Sequence, residues 1–370
     1  MKKTKVIGLI IIITVIIFII IIFLRPSLYF TDTTPVITSK VNLPVNEFFP
    51  QNPDLQSIFS GDHSWIATIS AEKIRTVIAT GDVIPARSVN NAAEQKKNFK
   101  WPFEKTAEFL SKGDITYINL ESPLTADCRT TTEGMVFCGN SKNIEGLLSA
   151  GVDIANVANN HSGNYGLAGI AETKKLLTEN KIKITGSENT EYFNIRGVRF
   201  AFLGFNDVGS KEESISWTDE EDIVETIKKA RLQTDVVIVG FHWGAEYVSQ
   251  PGTRQIELAH LAIDSGADLI LGNHPHWIQP VEFYKSKLIV YAHGNFIFDQ
   301  MWSEKTREGV VGIYTFYEDR LIDVKFYPVY ISNYGQPDFA DDLRKDKILK
   351  EMKLQSEILQ NSLGSNSIYD

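Results

Sequence analysis

The hydrophobic pattern of the chain begins with one long apolar run. Residues 6–24 are apolar except for Gly8 and Thr14 and are dominated by isoleucine. As a helix rising ~1.5 Å per residue, the run spans roughly 28 Å, close to the ~30 Å hydrocarbon core of a bilayer. Lys2, Lys3 and Lys5 precede it, which predicts a cytoplasmic N-terminus at residues 1–5 and an extracytoplasmic remainder. A cleaved secretory signal is the rival reading. Against it, the run exceeds the usual ~7–15 residues, and Arg25-Pro26 stands where a small-residue cleavage site belongs. The expectation is an uncleaved single-pass signal-anchor, a transmembrane helix at 6–24.

Residues 25–64 contain Pro26, Pro35, Pro44, Pro50 and Pro53 among polar residues without sustained periodicity, and read as an extended stalk. From residue 65 to about 335 short apolar runs alternate with amphipathic stretches. Strands are expected at 76–80, 115–120, 154–158, 199–205, 236–241, 269–271 and 288–291, rich in Val, Ile and aromatics. Helices are expected at 102–111, 143–150, 167–179, 219–232 and 254–265. Asp219 offers an N-cap, and Gly151 and Gly266 follow their helices at the C′ position. Strands alternating with helices predict a layered α/β domain. Residues 310–330 read instead as two adjacent strands around Glu318-Asp319, so part of the sheet system should be antiparallel. A helix and tail are expected at 336–370, with 343–363 reading as a surface or docking helix.

Composition changes this picture little. The formal charge of −9 argues against nucleic acid as the main partner. Cys128 and Cys138 are the two cysteines. Outside the cytoplasm they read as one disulfide closing a local loop, the alternative being two unpaired thiols.

The chemistry lies just beyond the end of each strand. Gly81-Asp82 comes after the first and Asn119-Leu120-Glu121 ends the second. Asn159-Asn160-His161 comes after the third, His242-Trp243-Gly244-Ala245-Glu246 after the fifth, Gly272-Asn273-His274-Pro275-His276 after the sixth and Gly294-Asn295 after the seventh. A short module recurs: 149–161 and 264–274 each run helix end, Gly, Asp, apolar strand, Asn-His. In open α/β sheets the carboxyl ends of strands converge on one crevice. Two carboxylates, an Asn and four His would therefore meet there, a donor set for Zn, Mn or Fe. Each residue has a plainer role available, as turn aspartate, surface carboxylate or buried histidine; the concentration at one edge favours metal.

In order, GDVIPAR, NLESPLT, ANNHSGNYG, HWGAEY, GNHPHWIQPVE and GNFIFDQ resemble the motifs of the CapA family (PgsA), capsule-synthesis proteins of poly-γ-glutamate related to calcineurin-like metallophosphoesterases. The resemblance covers about residues 75–335. It implies a four-layer α/β/β/α sandwich, one or two divalent metal ions per chain, and partnership with poly-γ-glutamate or another anionic surface polymer and with CapB-like and CapC-like membrane proteins. Carried over residue by residue, Asp82 would bind the first metal and Glu121 bridge both. Asn160, His242 and His274 would bind the second and His276 the first. His161 would be the acid near the leaving group, and Arg87 an oxyanion clamp. Three positions depart from the pattern: Ile84 stands where the opening Asp-x-His has its histidine, Asn164 where Asp is usual, and His293 where an apolar residue precedes Gly294-Asn295. His293 is expected to pack or to give an outer hydrogen bond.

Two functions are compatible with these features. The first is a metal-dependent hydrolase acting on a phosphoester or on an amide of the γ-glutamyl polymer. The second is a non-catalytic assembly factor that binds anionic polymer through the same site.

Overall fold

The computed structural model describes residues 51–366. The predicted anchor at 6–24 and residues 25–50 of the predicted stalk lie outside them. Among the described residues no helix is long and apolar enough to cross a membrane.

The strands are β1 (Ile74–Val83), β2 (Ile115–Leu120), β3 (Leu124–Thr125), β4 (Gly139–Asn140), β5 (Ile154–Asn156), β6 (Lys183–Thr185), β7 (Glu191–Ile195) and β8 (Val198–Asn206). They continue with β9 (Val236–His242), β10 (Leu269–Asn273), β11 (Val281–Tyr284), β12 (Lys287–Val290), β13 (Asn295–Ile297), β14 (Glu308–Tyr317), β15 (Arg320–Ile331) and β16 (Pro337–Phe339). All seven segments expected as strands form, 115–120 with the expected bounds and the other six with shifted ends. An eight-stranded sheet runs β16-β15-β14-β1-β2-β5-β6, with β13 also paired to β1; a six-stranded sheet runs β11-β12-β10-β9-β8-β7. The centre of each is parallel, β1-β2-β5-β6 in one and β8-β9-β10-β12 in the other. The β14–β15 pair is the antiparallel hairpin expected at 310–330, turned at Glu318, whose φ is 55°.

Alternation explains how the sheets are placed. Val77, Ala79, Ile115, Tyr117 and Ile154 point from one sheet into a core shared with Phe200, Phe202, Ile238, Leu269, Leu271 and Val290 of the other. The Tyr117 and Phe202 rings stack across it at 6.1 Å. Fully burying a side chain of this size contributes roughly 1.5–3 kcal/mol. The alternate residues of the first sheet, Ile78, Ile118 and Ala155, pack against Leu147 and Ile170 of the helices Ile144–Ser149 and Gly166–Glu179. Those of the second, Val237, Val239 and Ile270, pack against Ile223, Ile227, Leu258 and Ala262 of Glu220–Arg231 and Thr253–Ser265. Asp219 caps the first of these last two helices by accepting from the Glu221 and Asp222 amides, and Gly266 ends the second at φ 118°.

Both ends of the predicted domain extend further than the sequence suggested. Residues 51–64, read as stalk, include the helix Leu55–Ile58; Ile58 is buried and Phe59 stacks on Phe326. His63 is bonded to Asp323. Spaced apolar residues around Pro50 and Pro53 are too few to register as a periodic pattern, yet suffice to dock the segment. The last helix, Asp342–Asn366, packs Ile348 and Met352 into the core between the sheets and Leu359 into the core between the second sheet and its helices.

Candidate metal centre

The ends of the central parallel strands lie side by side. Asp82 of β1 is in register with Asn119 of β2 and with Asn295 of β13. His242 of β9 is in register with Asn206 of β8 and Asn273 of β10. The approach of β13 requires glycine at 81, where a Cβ would fall 2.1 Å from the Gly294 carbonyl oxygen. His274 and His276 sit on the turn after β10 at φ 98° and 57°, an unfavourable region for residues with a Cβ. The Asp82 carboxylate receives the His274 amide at 3.4 Å.

The predicted metal ligands meet in overlapping groups. Glu121, His242 and His274 form one, and Asp82, Glu121 and His276 another; within each, one ligand atom per residue lies within 4.8 Å of the others. Glu121 belongs to both. Glu246, His274 and His276 form a third. Asn160 adjoins them: its side-chain oxygen is 2.8 Å from His242 Nε2, which puts it on the His242 side. His161 lies at the rim, its Nδ1 2.9 Å from the Asn164 side-chain oxygen and its ring stacked on Phe137 at 3.9 Å.

Burial and close approach shift the ionisation of Asp82, Glu121 and His276. Asp82 and Glu121 are both fully buried. Burial opposes ionisation of Asp82, but the hydrogen bond and charge of His276, helped by His242 and Asn119, hold its pKa down to about 2. Glu121 is pushed well up by burial and by the adjacent Asp82 charge. Its Oε1 has no hydrogen-bond donor, and neither His274 Nδ1 nor the Asn273 amide is satisfied. Buried polar atoms are costly without partners. Orphaned carboxylate and imidazole atoms facing one another are what a divalent cation would satisfy, so the donor set fits such an ion. Burial drives His242 down to about 3 and His161 to about 4, and His274 well below its ordinary value. His276 runs the other way. Burial would depress it, but Glu121 and Asp82 hold it up at about 9.

Arg87 is placed differently from an open clamp. Its guanidinium pairs with Asp299, donates to the Gly134 carbonyl at 3.0 Å and lies between the Phe137 and Phe298 rings. His293 stays outside the centre, with Nδ1 3.0 Å from the Gly272 carbonyl and Nε2 2.7 Å from the Tyr314 hydroxyl. Cys128 and Cys138 are joined as a disulfide, and the loop it closes carries Phe137 to His161. Sequence reasoning missed three polar residues. Asn119 donates to Asp82 at 2.8 Å and lies 3.4 Å from Glu121 and 3.3 Å from His242. Asn295 faces His276 Nδ1 at 2.9 Å. Glu246 joins the two terminal histidines. Asn119 and Asn295 stand inside the quoted motifs at strand ends, the one signal that could have marked them; asparagine there reads first as turn chemistry.

Buried carboxylates and imidazoles at the strand ends of two adjoining sheets define a mixed α/β protein with a candidate divalent-metal centre. Comparison with known proteins narrows the class. Residues 76–300 match the profile described as bacterial capsule synthesis protein PGA_cap, and the chain belongs to that family. It is 28% identical over 299 residues to the capsule biosynthesis protein CapA of Bacillus anthracis, covering 75% of this chain and 72% of the relative. It is 29% identical over 294 residues to the PGA biosynthesis protein CapA of Bacillus subtilis strain 168, covering 75% and 77%. A crystal structure of a phosphatase from Mycoplasma pneumoniae matches with a TM-score of 0.47 at 14% identity, covering 74% of this chain and 96% of that one.

Proposed function

We propose that this protein is a membrane-anchored, extracytoplasmic component of poly-γ-glutamate capsule synthesis or export whose metal centre performs hydrolysis. The observation that carries the chemistry is Glu121. It is a fully buried carboxylate with a donorless oxygen, shared by two groups of metal-ligating side chains. In this reading the domain is a four-layer sandwich of metallophosphoesterase type. Asp82 and His276 would hold a first ion, Asn160, His242 and His274 a second, and Glu121 would serve both. Such ions, when bound, supply Lewis-acid polarisation of a phosphoryl or acyl oxygen.

The chain's own residues do the rest. Asn119 orients Asp82, and Asn295 orients His276. Asn164 accepts from the Phe137 amide at 2.6 Å and faces His161 Nδ1 at 2.9 Å. That arrangement makes Nδ1 the donor and leaves Nε2 of His161 free to exchange a proton with a departing oxygen. Arg87 lends positive charge beside the mouth and would hold an anionic oxygen only by releasing part of its Asp299 pairing. The CapA relatives named for capsule and PGA biosynthesis support an anionic glutamate polymer as the substrate or cargo, with CapB-like and CapC-like proteins as partners.

One observation favours a second reading, that of a polymer-binding assembly factor without turnover. Ile84 is wholly buried with Ala86, Phe137 and Phe298 and supplies no ligand beside Asp82. Full-length protein in detergent separates the readings. After manganese loading, the hydrolase reading expects cleavage of a chromogenic phosphodiester or shortening of poly-γ-glutamate. In His161→Ala cleavage should fall by roughly 10²–10⁴-fold with metal content unchanged. Polymer binding with no turnover in the wild type would sink the hydrolase reading and leave the assembly factor.

A further inference from the structure

We infer that Glu246 is a ligand of the first metal position and fills the coordination that Ile84 leaves open, an assignment that rests on the metal-centre reading above. With Asp82, Glu121 and His276 alone, the first position has three protein donors. Tetrahedral sites take four ligands and octahedral ones six. A ligand atom of Glu246 lies within 4.8 Å of those of His274 and His276, and His276 is the imidazole of the first position. Among the described residues no lysine or arginine pairs with it.

The loop after β9 is built to hold the carboxylate there. Gly244, at φ 85°, turns the chain where a Cβ would strike the Gln255 amide at 2.4 Å. The Trp243 amide donates to the Asn273 carbonyl at 3.2 Å and the Tyr247 amide to the Pro275 carbonyl at 2.8 Å. The loop is thus bonded on both sides of Glu246 to the segment that carries His274 and His276. Gln300 donates to the Tyr247 hydroxyl at 2.7 Å, and the Tyr247 ring lies 6.2 Å from that of His276. Tyr247 itself adopts φ 61°, a conformation costing of order 1–3 kcal/mol unless surrounding structure imposes it.

The donor chemistry predicts the ion. Asp82, Glu121 and Glu246 with one imidazole make an oxygen-rich, strongly anionic position. Such a set suits manganese better than zinc, which favours nitrogen and sulfur donors. The second position, with two imidazoles and Asn160, is the more zinc-like.

The test uses the full-length protein in detergent, stripped by chelation and reloaded with Mn²⁺. Metal per chain is counted by mass spectrometry, and low-temperature electron paramagnetic resonance reads spin coupling. Wild type is expected to bind two Mn²⁺ with a coupled signal. In the isosteric Glu246→Gln one ion should be lost or bind at least tenfold more weakly, leaving an uncoupled six-line spectrum. Glu246→Asp, which keeps the charge, should recover part of the second equivalent. Matching melting temperatures of the metal-free proteins establish that the variants fold. If Glu246→Gln leaves metal count, affinity and spectrum as in a metal-binding wild type, the assignment of Glu246 is wrong. A wild type that binds no Mn²⁺ or Zn²⁺ overturns the metal-centre reading itself.

Discussion

Asn119 touches three of the proposed ligands and none of the proposed chemistry, which makes it a sharp probe of the site. It is fully buried at the end of β2 and donates to Asp82 Oδ1 at 2.8 Å. In Asn119→Ala this hydrogen bond to a buried, ionised carboxylate disappears. Such a bond is worth about 1.5–3 kcal/mol. The truncation also leaves a small cavity, but the cavity weakens the metal-free and metal-loaded forms alike and cancels in their difference. If the carboxylate's orientation matters only when metal is bound, the whole loss appears in affinity. At about 1.4 kcal/mol per decade it predicts a roughly 10- to 150-fold weaker Mn²⁺ Kd. That agrees with the ~10–100-fold cost of losing outer partners of metal ligands elsewhere. Competition against a fluorescent chelator measures it directly. A Kd within threefold of wild type, with the metal-free variant folded, would refute the claim that Asn119 organises the ligand set.

Three further outcomes are expected. The metal-free protein should be most stable near pH 6.5, read by denaturant midpoints between pH 4.5 and 9. His242, His161, His293 and His274 are depressed by burial, so as pH falls below their unfolded value of 6.5 the unfolded chain binds more protons and stability drops. His276, raised to about 9, contributes stability that is complete below pH 6.5 and is lost as pH climbs through 9. Glu121, also raised, loses stability upward from its unfolded value of 4.5 but is outnumbered by the four imidazoles; a flat profile would contradict these directions. Second, Asn164→Asp puts a carboxylate beside His161, raises its pKa and should move the alkaline limb of any pH–rate profile upward, whereas Asn164→Ala should not. Third, reduction opens a disulfide spanning 10 positions, worth about 2.5–3 kcal/mol by chain entropy. It should lower turnover, because Phe137 loses its hold on His161, while metal content stays constant.

The seven strands, the late hairpin and the last helix were legible because each buries a repeating apolar pattern, and such patterns are local. The family motifs were legible too, since each is a contiguous strand end. Asp82, Glu121, Asn160, His161, His242, His274 and His276 could therefore be named before any fold was known. Arg87 shows where a motif stops being informative. Its place in the opening motif is plain from the chain, but its pairing with Asp299, 212 residues later, depends on how the two loops meet. The same holds for residues 51–64, whose few apolar side chains acquire meaning only against Asp323 and Phe326.

Sequence alone determined the order of elements and the kinds of atoms at their ends, because periodicity and motif are properties of neighbours along the chain. Only the tertiary structure decided which of those atoms share a site. Two sheets had to pack through Tyr117 and Phe202 before Glu121 could reach His242 and His274, and β9 had to pair with β10 before Glu246 could face His276. That packing buries Asp82 and Glu121 beside the imidazoles, and the combined donor set fits a divalent cation. No single segment carries it.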